Sequence, residues 1–344
     1  MPEVLTKVPS LEILDPSQPG PFNPNYEFVP QTFAEYLGQA QLKNKLALYT
    51  QAAKFRQEPL DHLLISGPPG LGKTTISKIM AAVLEVEIKI CAGPALERTG
   101  DLVAILSNLR PREILFIDEI HRLPITVEEV LYSAMEKFQV NIIVGQGTGA
   151  DTVNLPLHPF TLIGATTKAG ALSAPLRSRF GITERIDFYN HDELEQIVLQ
   201  ATNFLNLTLT PTAARLIAQA ARGTPRIAKK ILRRVRDFAQ VHAQQTADET
   251  LVTQALAFIG IDQSGLCQTD HLILQRLLSD FNGGPVGLDT LAALIGEDRE
   301  ALETVYEPYL LRQGYLERTP RGRRIPLKMQ AILKKQLVHQ QSIF

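Results

Sequence analysis

Between residues 33 and 189 the chain alternates between two hydrophobic periods. Short, nearly unbroken apolar runs predict buried strands: "HLLIS" (62–66), "EIKIC" (87–91), "EILFID" (113–118) and "FTLIGATT" (160–167). Between them, "QAQLKNKLALYTQAAKFR" (39–56), "TTISKIMAAVLEVE" (74–87), "GDLVAILSNL" (100–109) and "TVEEVLYSAMEKF" (126–138) predict helices. Thr126 and Glu129 carry the spacing of a capping box at the start of the last one. Apolar strands alternating with helices imply an α/β fold, a parallel sheet covered on both faces. "VNIIVG" to "DTVNLPL" (140–157) predicts a hairpin around Gly145, Gly147 and Gly149.

After "ERIDFY" (184–189) the strand pattern is expected to stop. An all-helical block follows over 190–260, including "TPRIAKKILRRVRDFAQVHAQ". Residues 262–344 form another unit: helices, then "GYLERTPRGRRIPL" (314–327), which reads as strand–turn–strand. The helices "LDTLAALIG" and "REALETVYEPYLLRQG" before it predict a helix-turn-helix with a wing. The proline-rich first 27 residues read as a flexible tail, with no charged n-region and apolar h-region of a secretory signal.

Composition narrows this picture only a little. The chain has 344 residues and a formal net charge of -1. That balance argues against indiscriminate nucleic-acid binding and leaves room for a local basic patch. The two cysteines, Cys91 and Cys267, form no CxxC, so a disulfide framework or zinc site is not expected and a cytoplasmic location fits. No apolar run reaches the roughly 18 residues that a membrane helix needs.

The chemistry enters with "GPPGLGKT" (67–74). Gly67, Gly70 and Gly72 let backbone N–H groups turn towards a triphosphate. Lys73 supplies charge to the β- and γ-phosphates, and the hydroxyl of Thr74, next to Thr75, can ligate Mg²⁺. The segment follows a predicted strand and opens a predicted helix, whose positive dipole end faces the anion. "ILFIDEIH" adds Asp118 for the metal and Glu119 to polarise an attacking water. Thr166 and Thr167 end a further strand. Pro225 suits the first helical position and puts Arg226 in the first turn, where a cation opposes the helix dipole and points to a bound anion. His121 has no partner ligands at metal-binding spacing, so a structural or coupling role is expected.

These segments, with "GPALERTGDLVAIL", "APLRSRFG", "GGPVGLDTLAALIGE" and "YEPYLLRQGYLERTPRGR", resemble the RuvB family of AAA+ ATPases from about residue 28 to 327. The resemblance implies an AAA+ P-loop core (28–188), a helical lid (189–261) and a C-terminal winged-helix DNA-binding domain (262–344). It implies an ATP- and Mg²⁺-dependent hexameric ring that drives Holliday junction branch migration on duplex DNA. RuvA would recruit it, and RuvC would join a resolvasome. Lys73, Thr74, Asp118 and Glu119 would bind and hydrolyse ATP. Thr167 would be the first γ-phosphate sensor and Arg226 the second. Phe28, Val29, Glu136, Lys137, Phe138 and Tyr189 would line the nucleotide pocket. Arg179 would be an arginine finger reaching a neighbour's ATP, while Arg177 is expected in a structural or interface salt bridge. Arg318 and Arg323 would contact DNA, with Arg321 beside them at the turn.

Three positions depart from the family pattern. Val29 stands where the family has an arginine near the nucleotide. Lys137 replaces an acidic residue. Asp151 replaces an arginine in the hairpin that the family uses against RuvA. The alternative function is a DNA-bound AAA+ switch or loader that remodels protein without continuous translocation.

Overall fold

The computed structural model describes residues 28–144, 151–242 and 244–333. The expected N-terminal tail, the hairpin tip and the residues from 334 onward lie outside these. The first unit holds helices α1 (Ala40–Arg56), α2 (Lys73–Leu84), α3 (Thr99–Ser107), α4 (Ile125–Lys137) and α5 (Ala174–Arg177). Its strands are β1 (Leu63–Ser66), β2 (Ile88–Ala92), β3 (Ile114–Asp118), β4 (Gln139–Val144), β5 (Asp151–Pro156), β6 (Thr161–Thr166) and β7 (Ile182–Arg185).

Five of these strands form one parallel sheet in the order β2-β3-β6-β1-β7. Central β6 is buried along its whole length, and β1 and β3 are buried except at their last residues. Edge strand β7 alternates partly buried and exposed positions. The continuous apolar runs in the sequence therefore mark the centre of the sheet, which helices cover on both faces. The predicted hairpin is present as antiparallel β4 and β5, with Gln139 opposite Pro156.

Two local expectations are corrected. Pro124, not a threonine, stands at the N-cap of α4, with φ -60° and ψ 144° and no side-chain cap. The fixed φ of this proline turns the chain into the helix two residues before a Thr126 cap would. Thr126 then lies inside the first turn, where it cannot cap. The strands also do not all stop at 189. Thr208–Leu209 (β8) and Thr246–Ala247 (β9) form a short parallel pair inside the helical block. Two-residue strands carry too little periodicity to be seen in a sequence.

The helical block contains α6 (His191–Thr202), α7 (Pro211–Ala220), α8 (Pro225–Val241) and α9 (Glu249–Phe258). Asn190 and Glu193 close a capping box on α6, while Thr210 and Asp248 cap α7 and α9. Ile231, Leu232 and Val235 bury the apolar stripe of α8. This block shares one hydrophobic cluster with α2 and one face of the sheet, so the lid and the P-loop helix belong to one core.

The C-terminal unit has its own core. It is built from α10 (Gln268–Phe281), α11 (Leu288–Ile295), α12 (Arg299–Ala301), a π-helical turn over Leu302–Tyr306, α13 (Glu307–Arg312) and an antiparallel wing, β10 (Glu317–Thr319) with β11 (Gly322–Arg324). The expected helix-turn-helix with wing is present. Among the described residues no helix is long and apolar enough to cross a membrane.

Candidate nucleotide site

The sheet order puts the ends of β1, β3 and β6 side by side, with Ser66 level with Thr166 and Ile117 level with Gly164. Open α/β sheets bind ligands at this carboxyl edge. A cleft lies here, lined by Gly70, Gly72, Lys73, Thr74 and Thr75 of the loop and α2, by Asp118 and Glu119 after β3, and by Pro225, Arg226 and Lys229 of α8. Phe28, Tyr36, Leu37, Tyr189, Ile197 and Gln200 close its apolar end.

Gly70 has φ +77°, and a Cβ there would come within 2.9 Å of Thr224 Cγ2 and 3.0 Å of Arg226 Cβ. The Arg226 N–H donates to the Gly70 carbonyl at 3.3 Å. Glycine is thus required both for the turn and for the close seating of α8 on the loop. The buried Lys73 donates from Nζ to the Gly67 and Pro68 carbonyls at 2.8 and 3.0 Å. Burial lowers its pKa, Glu119 and Asp118 pull it back up, and Arg226 opposes them.

Glu119 sits in the left-handed region, φ 48° and ψ 45°. Such strain in a non-glycine residue is concentrated at functional sites. Its Oε2 accepts from Thr167 Oγ1 at 2.9 Å and lies 3.2 Å from His121 Nδ1. The same imidazole nitrogen is 2.9 Å from Thr166 Oγ1. Burial lowers the pKa of His121 below the ordinary imidazole range, against the pull of Glu119. A neutral ring can serve both oxygens without adding charge to the site. Asp118 Oδ1 accepts from the Glu119 N–H at 3.0 Å, which fixes the carboxylate at the cleft wall.

At the apolar end, Tyr189 donates to Tyr36 Oη at 2.8 Å and to the Leu71 carbonyl at 3.1 Å. Burial raises both phenols, Tyr36 to about 12, so both stay protonated as donors. Tyr36 and Gln200 went unnoticed in the sequence, where Lys229 reads only as the start of a basic, solvated lid surface over 229–238. Lys229 Nζ donates to the Phe28 carbonyl at 2.7 Å and closes this end of the cleft. Only its place one helical turn after Arg226 could have signalled it.

Several expected pocket residues are elsewhere. Val29 and Gly67 do not line the cleft, although Phe28 does. Val29 lies at the surface, and Gly67 instead offers its carbonyl to Lys73. Glu136, Lys137 and Phe138 are also outside, because α4 carries them away from the carboxyl edge. Phe138 packs edge-on against Phe160 at 5.9 Å. Glu136 instead meets Arg179, with Nε 3.1 Å from its Oε1. The Arg179 guanidinium lies 4.4 Å above the Tyr132 ring, and Nη1 donates to the Pro175 carbonyl at 2.6 Å. Arg179 is therefore also outside the cleft of its own chain. Arg177 hydrogen-bonds the Ala169 carbonyl and makes no salt bridge among the described residues of its own chain.

On the wing, the expected DNA-contacting pair is tied down. Arg318 and Arg323 each grip Glu307 through Nε and Nη2, at 2.9 and 2.9 Å and at 2.8 and 3.1 Å. Burial alone would raise the Glu307 carboxyl, but the two guanidiniums outweigh it and hold it low. Arg321 stays exposed at the turn.

Family models match nearly all of the described chain. Residues 28–186 match the Holliday junction DNA helicase RuvB P-loop domain. Residues 189–262 match the RuvB AAA lid domain, and 263–334 the RuvB C-terminal winged helix domain. The chain belongs to the RuvB family. It is 54% identical over 296 residues to the Holliday junction branch migration complex subunit RuvB of Latilactobacillus sakei, covering 86% of this chain and 88% of that one. It is 52% identical over 299 residues to the subunit of the same name from Lactiplantibacillus plantarum, covering 87% and 89%. Among solved structures it resembles the Thermotoga maritima RuvB Holliday junction branch migration motor, with a TM-score of 0.81 and 45% identity over 89% of this chain and 98% of that one. This RuvB-family chain thus has the P-loop core, lid and winged helix that its motifs imply.

Proposed function

We propose that this chain is the ATP-hydrolysing motor of Holliday junction branch migration in recombination and repair. It acts as a homohexameric ring on duplex DNA at four-way junctions. RuvA recruits it and RuvC completes a resolvasome, in the cytoplasm. Its working units are the P-loop core over 28–188, the lid over 189–261 and the winged helix from 262. One observation carries the reading: Lys73, Asp118, Glu119 and Arg226 converge on one cleft, in a chain that also carries a DNA-type winged helix.

Thr74 and Asp118 offer a hard oxygen set that fits Mg²⁺ completed by phosphate oxygens, rather than an all-protein cage. The metal would neutralise charge on the β- and γ-phosphates. Lys73 and Arg226 bring positive charge to the same oxygens. Glu119 accepts the proton of the attacking water, with Thr167 and His121 holding its Oε2 so that Oε1 faces the reaction. Thr167 acts on the γ-phosphate side through this contact. Arg179 serves the ATP of the adjacent subunit. The Phe28–Tyr36–Tyr189 end takes the adenosine.

The test is ATP-dependent branch migration of a synthetic four-way junction with RuvA present. Sustained, DNA-stimulated turnover that is lost in Glu119→Gln supports the motor. ATP turnover without junction movement would favour the switch or loader.

A further inference from the structure

The turn Arg222–Thr224 lies between the nucleotide cleft and the winged-helix unit. On one side it leads into Arg226, whose N–H bonds the phosphate loop at Gly70. The Gly223 carbonyl also accepts from the Tyr189 N–H at 3.0 Å, next to the apolar end of the cleft. On the other side stands the winged-helix unit. Arg222, itself at φ 55°, donates from Nε to the Gly265 carbonyl at 2.7 Å and forms a buried ion pair with Asp270. The Arg312 guanidinium lies 4.3 Å over the Phe188 ring and closes on the bare α-carbon of Gly223, where a Cβ would collide with it.

Arg312 is the last residue of α13, and Glu307 is the first. Glu307 is the carboxylate that both wing arginines grip. One short helix therefore joins the wing at one end to the sensor turn at the other. The helix is buried at Glu307, Tyr309 and Leu310, in the packed core of the unit.

We propose that Arg312 is a positioning residue for Arg226, so that the DNA-facing unit holds part of the nucleotide cleft in place. The inference rests on the nucleotide and DNA reading above. Displacement of the wing by a DNA backbone moves Glu307, α13 and Arg312 together. The Gly223 turn follows, and Arg226 shifts relative to Gly70. By linkage, nucleotide bound at Arg226 must change DNA affinity by the same factor that DNA changes nucleotide affinity.

The experiment uses the full chain and two variants, Arg312→Ala and Arg312→Met, the second keeping most of the packed stem. The Kd of a fluorescent non-hydrolysable ATP analogue is measured with and without duplex DNA. The Kd of the duplex is measured with and without the analogue. Salt is fixed, and the protein concentration gives the same oligomer for all three chains. In the parent chain each ligand is expected to change the affinity of the other by about fivefold or more. In both variants the factor should fall below about twofold, with duplex affinity on its own within about twofold of the parent. Coupling of parental size in both variants overturns the inference, as does a parent chain with no coupling. A variant that loses DNA affinity alone while the coupling factor persists shows a merely structural role and also overturns it. Failure of the parent chain to bind the analogue at all would instead defeat the nucleotide reading itself.

Discussion

The nucleotide cleft and the wing both gather cationic side chains, and they hold them in opposite ways. In the cleft, Lys73 and Arg226 stand across from Asp118 and Glu119 without a direct ion pair to either, and Lys73 rests on backbone carbonyls. Its charge is kept for a ligand. On the wing, Arg318 and Arg323 share one buried carboxylate, and Arg324 pairs with Glu317. Much of that charge is already answered within the fold, and the unanswered part lies at Arg321. A run of arginines in a sequence counts charge, while geometry decides how much of it a phosphate can claim.

The largest effect should come from Arg179, proposed above to serve the cleft of an adjacent subunit. Arg179→Ala should leave ATP binding intact and lower kcat by about 10³–10⁵. Co-assembly with Lys73→Ala subunits should restore part of the activity. A loss below tenfold in steady-state turnover would remove Arg179 from the reaction.

Next comes the carboxylate of the wing. Removing one member of a buried ion pair costs about 3–5 kcal/mol, and the half-exposed Arg318 reduces that here. Glu307→Ala should therefore destabilise the winged helix by about 2–3 kcal/mol. Chemical denaturation followed by a winged-helix probe would check it, and an unchanged midpoint would mean that the two guanidiniums are not structural.

A smaller contrast separates the arginines from one another. Arg321→Ala should weaken duplex binding across all sequences and lower the salt slope by about one. Arg323→Gln should change the slope less and the melting temperature more. The reverse ranking would show that the Glu307 pairing opens freely to phosphate.

The smallest effects are those of pH. Glu307 is held below its unfolded value, so its contribution is present above the ordinary carboxyl range, near pH 4.3, and is lost as pH falls through the folded value. His271 is raised by Asp262, so its contribution is present below about pH 6.5 and is lost as pH rises through its folded value. Thermal melts should show a slight loss of stability towards pH 8 that His271→Ala removes.

Much of this was readable in advance because one residue type was tied to one conformation. Gly70, Pro225 and the apolar runs of β1, β3 and β6 fixed the loop, the start of α8 and the sheet. The Glu136–Phe138 segment, placed at the nucleotide by the resemblance, lies outside the cleft of its own chain and beside Arg179. The Glu307 grip was invisible because it joins residues 11 and 16 positions apart across a helix and a hairpin. The role of His121 was open until β3 and β6 became neighbours, since Thr166 lies 45 residues away.

Arg179 lies just after α5 and is clamped against α4 by Glu136 and Tyr132, with Phe180 buried behind it. On the proposed assignment Arg179 serves only a neighbour, which makes each contact between subunits head-to-tail, and such contacts have polarity. Working sites are then numbered by interfaces rather than by chains. A closed ring has as many of one as of the other. A ring with one gap has a subunit whose cleft can fill but cannot fire, and the place of that silent subunit gives the assembly a first and a last position.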